Sequence, residues 1–183
     1  MSEETLIRQA APTLAGIKTG SLFPCRCEDP ALLHEEIRRL NRLLVPRGLC
    51  LLLIRYQEGG ALLYLYRPAE LRRDLQNRLA AEILEQAGYS CQCCAQYVTR
   101  LVRRFRENGE FPHEVGLFLS YPPEDVKGFI DHRACGFKCA GLWKVYSDEA
   151  RAQELFAKFR KCTEIYCALW QAGSGLEQLA VAV

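Results

Sequence analysis

Three observations predict an α+β fold for this sequence. A Gly-Gly turn joins two apolar runs of β character, helical four-residue periodicity fills most of the remainder, and the elements run helices, hairpin, helices, strand, helix, strand, helix. That order implies a small mixed sheet of about four strands covered by helices. The strands are the hairpin over 49–67 and two further ones near 115–121 and 141–146. No repeat, low-complexity tract or Pro/Gly/Ser-rich linker interrupts the chain, so residues 1–183 are expected to form a single domain.

Asp29 as N-cap with Pro30 at the first helical position opens a helix that puts Leu33, Ile37, Leu40 and Leu44 on one face and stops near Pro46-Arg47-Gly48. Leu49 to Tyr56 and Ala61 to Arg67 flank Gln57-Glu58-Gly59-Gly60, a turn sequence that permits positive φ, and form the hairpin. Its first strand is apolar at successive positions, which predicts cover on both faces and a central place in the sheet. After Pro68, Leu71, Leu75, Leu79 and Ile83 mark one helix up to Gly88, or two short ones broken near Asn77. Another helix runs from about Cys94 to Arg106. Val115 to Tyr121 reads as a buried strand, Pro122-Pro123-Glu124-Asp125 as a helix start with acids in its first turn, and Gly141 to Tyr146 as a strand. Ser147 is expected to cap the last long helix, with Leu155, Phe159, Cys162, Tyr166 and Leu169 as its buried stripe.

Composition excludes several classes of function. With 49% apolar and 25% charged residues the chain is neither disordered, collagenous nor a coiled coil. Lys and Arg number 24 against 22 Asp and Glu, a net charge of +2, so no global field captures nucleic acid or an anionic membrane. The densest basic stretch, Arg100, Arg103, Arg104 and Arg106, alternates with apolar residues at helical spacing and reads as a solvated helix face. The longest apolar runs, 49–54 and 61–66, are far shorter than the roughly 20 residues of a membrane span. The opening Met-Ser-Glu-Glu lacks the basic and apolar regions of a secretory signal, so a cytoplasmic location is expected.

Ten cysteines in such a chain are expected to be thiols rather than a disulfide framework. Cys25 and Cys27, with Cys91 and Cys94, have spacings that could supply two zinc or iron ligands per pair, and His132, Cys135 and Cys139 form a further half-site. None of these completes a four-ligand pattern, and small buried hydrophobe is the competing reading of each.

Gly16-Ile17-Lys18-Thr19-Gly20 invites a phosphate-loop reading and fails it, because the required glycines are replaced by Ile17 and Pro12; Thr13 and Lys18 remain candidate anion contacts. His113 and Glu114 offer a general base or metal ligand and its orienter if they lie in a loop, and point to opposite faces if they lie in a strand. No second His follows four residues after His113, which rules out a metalloprotease helix. Tyr121, Trp143, Lys144 and Tyr146 would stand at strand ends, where sheet-plus-helix folds often build pockets, although aromatics also fill cores. Cys162 on an apolar stripe should be buried and inert, unless folding brings His113 to it.

Three segments together carry a family resemblance. They are Ala11-Pro12-Thr13-Leu14-Ala15-Gly16-Ile17-Lys18-Thr19; Phe111-Pro112-His113-Glu114-Val115-Gly116-Leu117-Phe118-Leu119-Ser120-Tyr121-Pro122 with the following Glu124 to Ile130; and Trp143-Lys144-Val145-Tyr146 leading to Lys161-Cys162-Thr163-Glu164. The chain resembles, over nearly its whole length, the family catalogued as domain of unknown function 3793. The resemblance implies a stand-alone bacterial cytoplasmic protein, mainly of anaerobic Firmicutes, and implies no activity or cofactor. Relatives often carry a Cys before the Ala-Pro-Thr motif, where this chain has Ala10, so no thiol nucleophile is available there.

The functional expectation is a cytoplasmic small-ligand or metal-binding accessory protein, with a pocket near Phe111-Pro112-His113-Glu114 and Trp143-Lys144-Val145-Tyr146. One alternative is a thiol hydrolase using Cys162 and His113. A second is a zinc or iron–sulfur protein using Cys25, Cys27, Cys91 and Cys94. A membrane partner is not expected and neither is nucleic acid; no heptad run specifies an oligomeric state.

Overall fold

The computed structural model describes residues 1–57, 59–90, 93–107 and 111–182. Helix α1 (Glu3–Leu14) starts at Ser2, whose side chain accepts from the Thr5 N–H. It bends at Ala10, whose φ of −134° lies outside the helical range, two residues before Pro12. A turn through Gly16, at φ 74°, leads into strand β1 (Gly20–Arg26). Helix α2 (Pro30–Leu44) is capped by Asp29 and buries Leu33, Ile37, Leu40 and Leu44, as its four-residue spacing requires. A single 3-10 turn at Val45–Arg47 and Gly48 at φ 75° pass the chain to strand β2 (Cys50–Gln57), which turns back into β3 (Gly60–Tyr66). Then follow α3 (Pro68–Asp74), α4 (Arg78–Gln86), α5 (Cys94–Glu107), α6 (Val115–Phe118), α7 (Pro123–His132), β4 (Cys139–Ala140), β5 (Lys144–Val145), α8 (Glu149–Gln171) and α9 (Leu176–Leu179).

The architecture is α+β, with a three-stranded antiparallel sheet in the order β1-β3-β2 and a separate two-stranded β4-β5 pair. Contacts group the chain into two compact units, Met1–Ala69 with Phe159–Val183, and Glu70–Lys158.

In the first unit β3 is central and buried at every position, whereas β2, expected in the centre, is an edge. Only Leu51 and Ile54 of β2 are fully buried, so the cover on both faces that its successive apolar residues predict belongs to β3 instead. The open side of β2 is closed locally by Asn41 of α2: its amide nitrogen donates to the Leu51 carbonyl at 2.8 Å, and its carbonyl oxygen accepts from the Leu51 N–H at 2.9 Å. The other edge, β1, contains Pro24, a residue that edge strands tolerate. Leu6, Ile7, Phe23, Leu40, Leu63 and Leu176 are among the side chains of one continuous core. Arg67 is 2% exposed and ties this unit together. Its guanidinium donates to the carbonyls of Thr13 at 2.8 Å, Leu14 at 2.8 Å, Val181 at 2.7 Å and Arg47 at 3.3 Å.

In the second unit two predicted strands need correction. Val115–Phe118 is one buried turn of helix, not a strand over 115–121. An apolar run buried all round carries no period that separates helix from strand, and here Gly116 lets Val126 and Tyr121 approach so closely that a Cβ would meet them at 2.7 and 3.1 Å. The strand near 141–146 shrinks to Lys144–Val145, paired with Cys139–Ala140 outside the main sheet, so the mixed four-stranded sheet is instead antiparallel with three strands. The break near Asn77 is real, because Asn77 caps α4 by accepting from the N–H groups of Leu79 and Ala80. Asp148, not Ser147, caps α8, accepting from Arg151 N–H. Ser147 is engaged elsewhere, by Asp125. Along α8 Phe156 and Phe159 are buried, Cys162 is half-buried and Leu169 is 41% exposed, so the predicted stripe fades toward the helix end.

Candidate ligand cleft

In the second unit, α4, α5, the segment 111–114 and α7 enclose an open cleft of about 270 Å³. The amphipathic pattern of α5 puts Val98, Leu101 and Phe105 inward. Arg104 is thereby carried to the cleft wall. Ile83 and Ala87 come from α4; Lys127, Ile130 and Asp131 come from α7. Phe111, 49% exposed, packs edge-on against Phe105 at 5.3 Å between ring centres and leaves the rest of its ring on the cleft.

His113 and Glu114 lie in a turn, the loop condition under which both can serve one site. His113 is exposed on the cleft wall, with its ring 4.8 Å from that of Phe129. Glu114 lines the same cleft from beneath and is only 3% exposed. Its Oε1 accepts from the Tyr89 hydroxyl at 3.1 Å and from Arg104 Nε at 3.0 Å. A buried carboxylate requires such partners. Burial and the adjacent carboxylate push the Tyr89 phenol far above its usual range, so Tyr89 remains a donor, and the hydrogen bond to Glu114 raises the Arg104 guanidinium. On the rim Lys127 pairs with Asp131 at 2.9 Å, and Glu107 with Arg100 at 3.4 Å. Two of the arginines read from sequence as a wet face thus serve the cleft.

The Trp-Lys-Val-Tyr segment is organised around a different residue, Asp125. This carboxylate is 2% exposed and accepts four hydrogen bonds, each 2.8 Å long, from Trp143 Nε1, the backbone N–H groups of Tyr146 and Ser147, and the Ser147 hydroxyl. Trp143 stacks on Tyr121 at 4.7 Å and meets Phe156 edge-on at 4.4 Å. The Tyr121 hydroxyl donates to the Leu142 carbonyl, and the Tyr146 ring packs over Gly128. None of Tyr121, Trp143, Lys144 and Tyr146 lines the cleft. Lys144 lies with Nζ 4.9 Å from the Phe137 ring centre and 5.8 Å from that of Phe129. Phe129 thus neighbours both His113 and Lys144.

Thr13 and Lys18 belong to the first unit. The Thr13 hydroxyl pairs with Ser21 Oγ at 2.9 Å in full burial, and its carbonyl is one of the acceptors of Arg67. Burial lowers Lys18 to a pKa of about 8, and its Nζ stands 5.9 Å from the Phe159 ring centre. Cys25 is buried and its thiol is pushed up by that burial; Cys27 is half-buried. Cys94, half-buried in the second unit, is also pushed up by burial. Cys91 lies outside the described residues. Among the described residues no three His, Cys, Asp or Glu side chains gather as metal ligands.

Sequence reasoning missed Tyr89, Asp125 and Arg67. Asp125 lies in the first turn of α7, where an acid in the sequence signals only the helix dipole. Arg67 carried a usable signal: a charged residue closing a strand that is apolar throughout.

The fold and cleft define an α+β protein with a polar-walled, aromatic-rimmed cavity of small-molecule dimensions. It belongs to the family described as protein of unknown function DUF3793, whose profile matches residues 6–180. No curated protein and no solved structure matches the chain. Among the described residues no helix is long and apolar enough to cross a membrane.

Proposed function

We propose that this protein binds a small organic molecule in the cleft of its second unit and acts as a cytoplasmic binding or accessory protein. The observation that carries the reading is the cleft itself. About 270 Å³ of space is bounded by apolar Ile83, Phe111 and Ile130 and by polar His113, Arg104 and Glu114. This combination of apolar walls with a few convergent polar groups characterises ligand sites. Glu114 adds preorganisation, since Tyr89 and Arg104 hold its carboxylate in one position. No cysteine is among the described residues lining the cleft, so the reading draws on binding and not on thiol chemistry there. The nine described cysteines are thiols outside any disulfide, in keeping with a reducing compartment.

The test is a fragment screen read by amide chemical shifts on the full chain. Hits that move resonances of Ile83, Phe111, His113 and Ile130, and that are lost when Ala87→Leu fills the cavity, support the reading. A screen whose hits leave those resonances still, or that survive Ala87→Leu unchanged, refutes it.

A further inference from the structure

We infer that the cleft takes a ligand with a cationic nitrogen head, a protonated amine or amidine, seated on Glu114 with an apolar body against Phe111 and Ile130. The inference rests on reading the cleft as a small-molecule site, and it names the chemistry of the occupant.

The first ground is the state of the Glu114 carboxylate. It is 3% exposed yet forms part of the cleft lining. Both of its hydrogen bonds among the described residues, from Tyr89 and from Arg104, fall on Oε1. A carboxylate has about four lone-pair sites, so Glu114, a lining residue of the cleft, has acceptor capacity beyond these two bonds. A ligand N–H placed there makes a charge-assisted bond out of bulk water, where such bonds are strongest.

The second ground is the charge of the walls. Glu107, Glu114 and Asp131 are each paired with a cation, Arg100, Arg104 and Lys127 in turn. An anionic head has to compete with these carboxylates for a cation, whereas a cationic head set on the remaining acceptor capacity of Glu114 displaces none of the pairs.

The third ground is the rim. The exposed ring of Phe111 stands beside the charged floor and attracts a cation through its face. Ile130, 38% exposed, supplies apolar surface for the remainder of the ligand.

Benzylamine, benzyl alcohol and benzoate share one apolar body and differ only in the head, so they isolate this claim. Titrated into the full chain, benzylamine should move the cleft resonances with an affinity about tenfold or more above that of benzoate, the worth of one charge-assisted hydrogen bond. Added salt should weaken benzylamine and leave benzyl alcohol unaffected. Glu114→Gln should cut benzylamine affinity by about tenfold, and the rim variant Glu107→Gln by a smaller factor of about two to three. The rim variant keeps the test decisive if Glu114→Gln fails to fold. Benzoate or benzyl alcohol binding as tightly as benzylamine overturns the inference, as does wild-type benzylamine affinity in both variants. If none of the three binds while the fragment screen finds other occupants, the cationic head is refuted and the small-molecule reading stands. If nothing occupies the cleft, both fall.

Discussion

Replacing Asp125 by Asn should destabilise the second unit by about 2–4 kcal/mol, and the figure follows from the donors that the carboxylate serves. Oδ1 accepts from the N–H groups of Tyr146 and Ser147 and from the Ser147 hydroxyl, while Oδ2 accepts from Trp143 Nε1. Asn keeps the shape and one oxygen. If that oxygen serves the backbone N–H groups, the new amide NH2 faces the indole N–H, donor against donor. One buried donor then goes unpaired, at about 1–3 kcal/mol, and the remaining bonds lose their charge assistance, at about 1 kcal/mol in total. Asp125→Ala, which abandons all four, should cost more, about 3–5 kcal/mol. The assay is urea denaturation followed by tryptophan fluorescence. The chain has only two tryptophans, so Trp170→Phe makes Trp143 the sole reporter of the site being perturbed. A loss below about 1 kcal/mol for Asp125→Asn, with Trp143 emission unchanged, would show that Asp125 does not organise the Trp-Lys-Val-Tyr segment.

Three further outcomes follow from the same kind of reasoning. Lys18 has its pKa lowered by burial to about 8 from 10.5, so its desolvation penalty is in full force below pH 8 and fades as the pH rises toward 10.5. Lys18→Met should therefore stabilise the protein by about 1–2 kcal/mol at pH 7, after the contacts of its ammonium, that with the Phe159 ring among them, are given back from a desolvation penalty of about 3 kcal/mol, and the gain should shrink by pH 10; a gain equal at both pH values in guanidinium denaturation contradicts it. Arg67→Lys replaces a fork that reaches four carbonyls by a single ammonium, which should cost about 2–4 kcal/mol, with amide exchange over 176–181 accelerating first. Unchanged exchange there would mean that the tail is held by α9 packing alone. Gly128→Ala should lower the melting temperature even though Ala is the better helix former by about 1 kcal/mol, because its Cβ would lie 2.5 Å from Cγ of Tyr146; a rise in melting temperature would show that the ring yields.

What was legible in the sequence was local. Asp29-Pro30, Asn77 and the Gly59-Gly60 turn each act within a few residues, through a cap or a permitted positive φ, and each marks an element boundary in the structure. Val115 to Tyr121 was misread because helix and strand differ only in period, and a segment buried on every side displays none. β1 leaves little trace in the sequence because Pro24 interrupts a strand pattern that an edge position nevertheless accepts.

The cleft divides along the same line. His113 is legible as a residue type, but the property that makes its neighbourhood a candidate site is the burial of Glu114, and that depends on Arg104 and Tyr89, 10 and 25 residues away in the chain. No motif links them, because their spacing is set by the lengths of α5 and of the segments that flank it, not by any chemistry the three residues share. The reverse holds for the Trp-Lys-Val-Tyr segment. Its residues are conspicuous, and three of the four aromatic or basic groups singled out there and at Tyr121 pack around Asp125 or over Gly128 instead of facing a cavity. Conspicuous residue types thus point to two regions of the second unit. Their division into a structural knot and an open cleft came from two buried carboxylates: among the described residues Asp125 accepts four hydrogen bonds from the Trp-Lys-Val-Tyr segment and its following serine, and Glu114 accepts two, on one oxygen.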